Sequence, residues 1–503
     1  MKKLLTCLIV ILLIFMLSLS FFSCSKETEE AETEYLTVYN CEDYIDEDIF
    51  EDFTEWYYEK SGKRVEINYI TYDTNETMLT KVLNNDANVD VICSSEYAIQ
   101  KLYLKDQLLP LRKTEGMDTI NVEIYERTTA RFGEDFANYF VPYMYGTLGI
   151  LYNADFFEEH EIDIEEAGWG ILWNSVECEE LDGKILLKDS IRDTFAAGVL
   201  YLKEQEALPE AYMDYTTEEL INCTDEELVA AVKEALIAQK TALKAYEVDF
   251  GKDDLIKGSA YVDLAWSGDA MYAIEEGELY DVALDYFVPE AGANIWFDGW
   301  FVPKCTEHRE AAEAFIEFMC DPEISTRNMV YIGYSSAVDK SVLETNADVL
   351  AVLADNEYID ASTIVESETA VALLEENGYE IAEEEDEVTI LKDGEECEIA
   401  DLVAFLTDND CYDIASDYFE WEVRYPAVDN PNYGMMTDYG EANTRMTIMW
   451  EEVKAATPEN RAPVWAISLI AIGVILFLCG AVSGLYFFLS NRKKTRIAEE
   501  KNN

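Results

Sequence analysis

Two short segments set a carboxylate beside large aromatic rings: Trp266-Ser267-Gly268-Asp269 and Trp296-Phe297-Asp298-Gly299-Trp300. Carboxylates neutralise ammonium groups, and ring faces attract cations and cover methylenes. The pairing suits a ligand with cationic ends and an apolar middle, such as a linear polyamine. Either segment alone also reads as a core tryptophan with an aspartate on the nearby surface. The rest of the chain favours the first reading.

The chain has 503 residues, enough for two or three domains and a sizeable core. Lys and Arg number 36 against 104 Asp and Glu, a net charge of -68. Phosphate binding needs clustered Lys and Arg, so nucleic acid is excluded as a partner. The same field attracts cations, although excess acid also simply keeps a surface domain soluble. Aromatic residues make up 13%, with 32 Tyr, which separates the chain from a disordered acidic tail.

Both ends read as membrane-directed. Lys2 and Lys3 precede an apolar run over 4–22, then Ser23 and Cys24, a signal-peptide pattern over 1–24. Cys24 after the apolar run resembles a bacterial lipobox, the site of lipidation; an uncleaved N-terminal anchor is the alternative. Residues 464–489 carry no charge and are long enough for a transmembrane helix, followed by Arg492, Lys493, Lys494 and Arg496. The positive-inside rule then places the tail 490–503 in the cytoplasm and the preceding region outside the cell or in the periplasm.

Of 11 cysteines, eight fall in the external region without zinc-like spacing. Two histidines, His160 and His308, leave little for histidine-based metal or acid–base chemistry. No metal site and no cofactor is expected. Cys305 and His308 form a lone C-x-x-H, read as a loop after a strand.

After an acidic tether over 25–34, strands at 35–40, 65–69 and 89–93 alternate with helices at 43–60, 75–83 and 98–102. That alternation predicts an α/β lobe with a mainly parallel sheet, whose ligands bind beyond the carboxyl ends of the strands. Residues 141–153 read as an extended crossover into a second lobe, and 295–303 as a second crossover. Helices are predicted over 191–206, 224–246, 311–319 and 441–456, and a buried strand over 261–266. The strongly acidic stretch 344–413 reads in part as an inserted hairpin or small subdomain.

In order, the segments VYN-x-x-x-Y (38–44), TYDTNETM (71–78), VDVICSSEY (89–97), VPYMYGT, WSGDAM, WFDGWFVPK and YIGYSSA (331–337) resemble the spermidine/putrescine-binding proteins of bacterial ABC transporters. The resemblance runs from about 35 to 454, with gaps near 205–250 and 350–425. It implies a two-lobed type II periplasmic-binding fold that closes on its ligand about a hinge. Lobe 1 takes 35–141 and is completed by the return crossover and segment 296–340. Lobe 2 takes 142–295 and is completed by 341–457 with the acidic insertion. The implied partners are putrescine or spermidine, the permease subunits of an ABC transporter, and the membrane at both ends.

The family's pocket tyrosine after the first strand falls on Tyr44, and its serine and tyrosine after the third on Ser95 and Tyr97. Its second-lobe acidic pattern falls on Ser190 and Asp193. Its wall tryptophans fall on Trp266 and Trp296, its aspartates on Asp269 and Asp298, and its late tyrosine on Tyr334. The chain departs where Cys41 replaces a usual tryptophan, where Glu42 adds a carboxylate, and where Ser190 replaces the aspartate of the spermidine type. On this reading Asp298 binds one ammonium and Asp269 a second, with Asp193 or Glu42 serving a longer ligand, and the rings sandwich the methylenes.

The expected function is therefore capture and delivery of a polyamine, without catalysis. A membrane-tethered sensor signalling through the C-terminal helix is the alternative. A thiol enzyme using Cys41 or Cys93 lacks an evident histidine base.

Overall fold

A computed structural model describes residues 33–84, 88–384, 387–421 and 423–457. Strands β1 (Thr33–Cys41), β2 (Arg64–Tyr72) and β3 (Val91–Ser95) pair in parallel in the order β2-β1-β3. Helices Ile49–Ser61 and Asn75–Leu83 connect them. The first helix buries Ile49, Phe53 and Tyr57, a spacing of four that lines one helical face. It ends at Gly62, in the left-handed conformation that glycine adopts without a Cβ penalty.

The next strand, β4 (Val141–Asn153), is buried along its whole length. Three shorter strands follow: β5 (Ile185–Lys188), β6 (Leu243–Glu247) and β7 (Val262–Trp266). They are followed by β8 (Leu284–Phe287) and β9 (Ala293–Phe301). The strand path is β2-β1-β3-β9-β4-β7-β5-β6, with β8 also paired to β4. β4 pairs antiparallel with β9 through Thr147 and with β7 from Leu148 onward. One continuous strand therefore belongs to both lobes, and the change of partner falls at a single peptide unit.

The acidic stretch supplies helix Ala347–Asp355, a three-stranded antiparallel sheet beginning at Tyr379–Glu384, and helix Ile399–Thr407. The two helices pack together, and the first packs on helix Pro322–Ile332. Its charge faces outward, while Leu350, Leu353, Leu402 and Leu406 are buried. The final helix, Asn443–Ala455, packs on Glu226–Gln239.

Two expectations need correction. The helix expected over 224–246 stops at Gln239, and β6 follows within four residues. The expected fold also included a C-terminal transmembrane helix. Among the described residues no helix is long and apolar enough to cross a membrane. The longest described helices, Ile191–Glu204 and Glu226–Gln239, have 14 residues. That is about 21 Å at about 1.5 Å per residue, short of a hydrocarbon core of about 30 Å. Residues 464–489 lie outside the described residues, so that helix is no part of the fold established here. The signal segment with Cys24, the tether up to residue 32 and the tail 490–503 lie outside them as well.

Candidate functional site

The carboxyl ends of β3 and β7, the middle of β9 and the loops after β1 and after helix Pro322–Ile332 converge between the lobes. On β9, residues two apart share a face, which brings Trp296 and Asp298 to the same side. Asp298 lies directly across from Ser95 of β3. The Tyr44 hydroxyl donates to Asp298 Oδ2 at 2.8 Å. The Tyr44 ring meets the Tyr334 ring edge-on at 5.3 Å, and Tyr334 meets Trp296 at 6.2 Å. Asp298 Oδ1 is out of solvent and, among the described residues, receives no hydrogen bond. Burial raises the Asp298 pKa, opposed by the neighbouring Ser95, Tyr44 and Trp296.

The second carboxylate stands on a different footing. β7 ends at Trp266, and helix Ser267–Glu278 starts at once, with Asp269 in its first turn where helix N–H groups favour an anion. The Tyr334 hydroxyl donates to Asp269 Oδ1 at 3.2 Å. The Lys188 ammonium, at the end of β5, lies 3.2 Å from Asp269 Oδ2 and 2.6 Å from Glu247 Oε1. It also sits 4.4 Å from the centre of the Trp266 ring and donates to the Val248 carbonyl at 3.1 Å. Burial disfavours this charge, but Asp269, Asp263 and Glu247 outweigh it and raise the Lys188 pKa. The chain's own ammonium thus already occupies an acidic and aromatic cage.

Two glycines permit this packing. A Cβ on Gly268 would run into the Tyr334 ring. Gly333, with φ of 77°, caps helix Pro322–Ile332 and turns the chain so that Tyr334 enters the cleft.

The other expected residues divide. The Trp266 indole N–H donates to Asp193 Oδ1 at 3.3 Å; burial raises the Asp193 pKa against Ser190, Trp266, Lys188 and Arg192. Ser190 is the N-cap of helix Ile191–Glu204 and accepts the Asp193 backbone N–H at 3.4 Å. The Ser95 hydroxyl accepts from Asn75 at 3.0 Å. The Tyr97 hydroxyl donates to Glu76 at 3.3 Å, and its ring carries the Arg192 guanidinium at 4.0 Å. Glu42 is exposed on the turn after β1, and among the described residues no hydrogen bond ties it to this cluster. Burial drives the Cys41 thiol up to about 12 and raises that of Cys93, so both stay protonated and unsuited to nucleophilic work.

Rings and carboxylates thus gather around Asp298 and Asp269, an arrangement suited to a cationic ligand. The family model of bacterial extracellular solute-binding proteins matches residues 49–352. The chain belongs to this family. Its members capture solutes and are not enzymes. The chain is 27% identical over 316 residues to the putrescine-binding periplasmic protein SpuD of Pseudomonas aeruginosa, covering 60% of this chain and 78% of that one. It is 25% identical over 305 residues to the spermidine/putrescine-binding periplasmic protein of Salmonella typhimurium, again covering 60% and 78%. Among solved structures, a Listeria monocytogenes chain described as a spermidine/putrescine ABC transporter superposes with a TM-score of 0.56 at 23% identity, covering 84% of this chain and 100% of that one. The TpPotD lipoprotein of Treponema pallidum gives 0.55 at 16%, covering 84% and 99%. These likenesses establish the two-lobed periplasmic-binding-protein fold.

Three residues of this solute-binding protein escaped sequence reasoning. Lys188 is the first; its signal was a lysine closing a short apolar strand two residues before Ser190. Glu96 is the second: it is fully buried and accepts the Phe297 backbone N–H at 3.1 Å. Burial and the adjacent Asp298 charge push its pKa up to about 8. An acid at the end of the strand segment VICSSEY was its only signal. Arg192 is the third. It stacks on Tyr97 of lobe 1 and on Tyr439 at 4.3 Å, joining the lobes across the cleft.

Proposed function

We propose that this protein captures a short polyamine between its lobes and delivers it to the membrane permease of an ABC transporter. The observation that carries this reading is Asp298 Oδ1, a carboxylate oxygen withdrawn from water, without a described hydrogen-bond donor, and walled by Tyr44, Trp296 and Tyr334. A buried carboxylate without a cationic partner is costly, and a ligand ammonium is the partner that relieves it. The rings supply cation–π attraction of roughly 0.5–2 kcal/mol each and cover the methylenes. Asp193, buried beside Trp266, is the second anchor; Asp269 is held by Lys188. Two anchors match a diamine better than a triamine. The names of the relatives support the ligand class, since they are described as binding putrescine or spermidine.

Calorimetric titration with putrescine, spermidine, spermine and a neutral diol tests the proposal. Binding of a polyamine with no heat from the diol supports it. Equal response to the diol, or silence toward every polyamine, rejects it.

A further inference from the structure

At the opposite end of lobe 2, the side chains of His160, Cys178 and Glu180 bring an imidazole nitrogen, a thiol sulfur and a carboxylate oxygen within 4.8 Å of one another. We propose that they bind a divalent transition metal of the zinc class.

The imidazole is prepared as a ligand. His160 caps the short helix Ala154–Glu159 that follows β4. Its Nδ1 lies 2.8 Å from the Phe156 carbonyl. A carbonyl only accepts, so Nδ1 carries the proton and Nε2 of the neutral ring keeps its lone pair. The ring is further held by stacking on Phe156 at 4.0 Å, and Phe156 stacks on Tyr261 at 4.2 Å.

The cysteine's backbone is held as firmly. Asn174, with φ of 52°, accepts the Cys178 backbone N–H at 3.0 Å and donates to the Cys178 carbonyl at 2.8 Å. The same amide donates to Asp182 at 3.1 Å, closing the loop on itself. Cys178 Sγ points at Glu180 Oε2, 3.6 Å away. That separation suits two neighbouring ligands of a tetrahedral ion. The metal replaces the thiol proton, which leaves to solvent, and the thiolate, imidazole and carboxylate leave a fourth position for water. Sulfur with nitrogen disfavours magnesium and calcium and favours zinc, cobalt or copper. Glu180 is exposed, so the ion has a path in.

The position separates this site from the cleft. Tyr261 precedes β7, and Cys178 precedes β5, whereas Lys188 and Trp266 stand at the far ends of those two strands. The metal site therefore does not depend on the polyamine reading.

The test is titration of the purified full-length chain with Co²⁺, followed by displacement with Zn²⁺. The expected result is a near-ultraviolet thiolate-to-cobalt charge-transfer band that saturates at one equivalent and vanishes on adding Zn²⁺. Cys178→Ser abolishes the band, and His160→Ala weakens binding at least roughly tenfold. Both variants retain the wild-type circular dichroism spectrum. No thiolate band in the wild-type chain overturns the proposal. So does a band that survives Cys178→Ser, which would assign it to another of the chain's 11 cysteines. Unchanged Co²⁺ affinity in His160→Ala removes the imidazole and overturns it as well.

Discussion

Lys188 holds Asp269: the ammonium lies 3.2 Å from one carboxylate oxygen, in the cage whose wall is the Trp266 ring. The carboxylate that the motif offered to a ligand is thus paired within the chain. Lys188→Met would leave buried Glu247 without its counter-ion and Asp269 with only Lys252 at 3.9 Å, and breaking a buried pair in this way costs about 3–5 kcal/mol. Urea unfolding of the variant should show that loss.

Asp269→Asn separates the two carboxylates. Lys188 keeps Glu247 and the Val248 carbonyl, and the amide oxygen still accepts from Tyr334. Putrescine affinity should stay within about threefold of wild type, under ~1 kcal/mol. A loss as large as that of Asp298→Asn would return Asp269 to the ligand.

Asp298→Asn should weaken putrescine binding by about 2 kcal/mol or more, roughly thirtyfold, because it removes the charge that pairs with a buried ammonium. Calorimetry reads this directly, and an unchanged dissociation constant would remove Asp298 from the site.

Glu96 sets a pH dependence of stability. Its folded pKa of about 8 stands above the ordinary 4.5, with burial as the main cause and the Asp298 charge next. Burial in the fold favours the neutral carboxyl over the ionised one. Its contribution is therefore complete below about 4.5 and is lost progressively as pH rises to about 8. In Glu96→Gln the decline in unfolding free energy between pH 5 and pH 8, measured with urea, should be shallower than in wild type.

Gly268→Ala should cost about 1–3 kcal/mol, because the added methyl meets the Tyr334 ring. The same displacement moves Tyr334 off Tyr44 and Trp296, so polyamine affinity should fall together with the melting temperature.

Much of the frame was legible because it is local. The alternation in residues 35–102 reports its strands and helices directly, and the extended crossover expected over 141–153 is β4 at the same limits. Strand β6 was missed because no glycine or proline separates it from the preceding helix; Lys240–Thr241–Ala242 turns the chain without either signal. In the site, the aromatic residues and Asp298 were visible through their motifs. The Lys188 cage was not, since its members come from β5, β6, the end of β7 and the helix after it, and only the sheet order β7-β5-β6 brings them together. Glu42 illustrates the converse: one residue beyond a strand end, a turn sends the side chain to solvent. The transmembrane helix was inferred from hydropathy over 464–489, outside the described residues.

The exchange of partners along β4 has a mechanical consequence. A loop hinge swings freely, but here the lobes are joined through a strand whose backbone is hydrogen-bonded on both sides of the Thr147–Leu148 junction. Relative rotation must be taken up as torsion of a paired ribbon, which resists and springs back. The stiffness of that ribbon sets what fraction of a ligand's attraction is spent on any rotation of one lobe against the other.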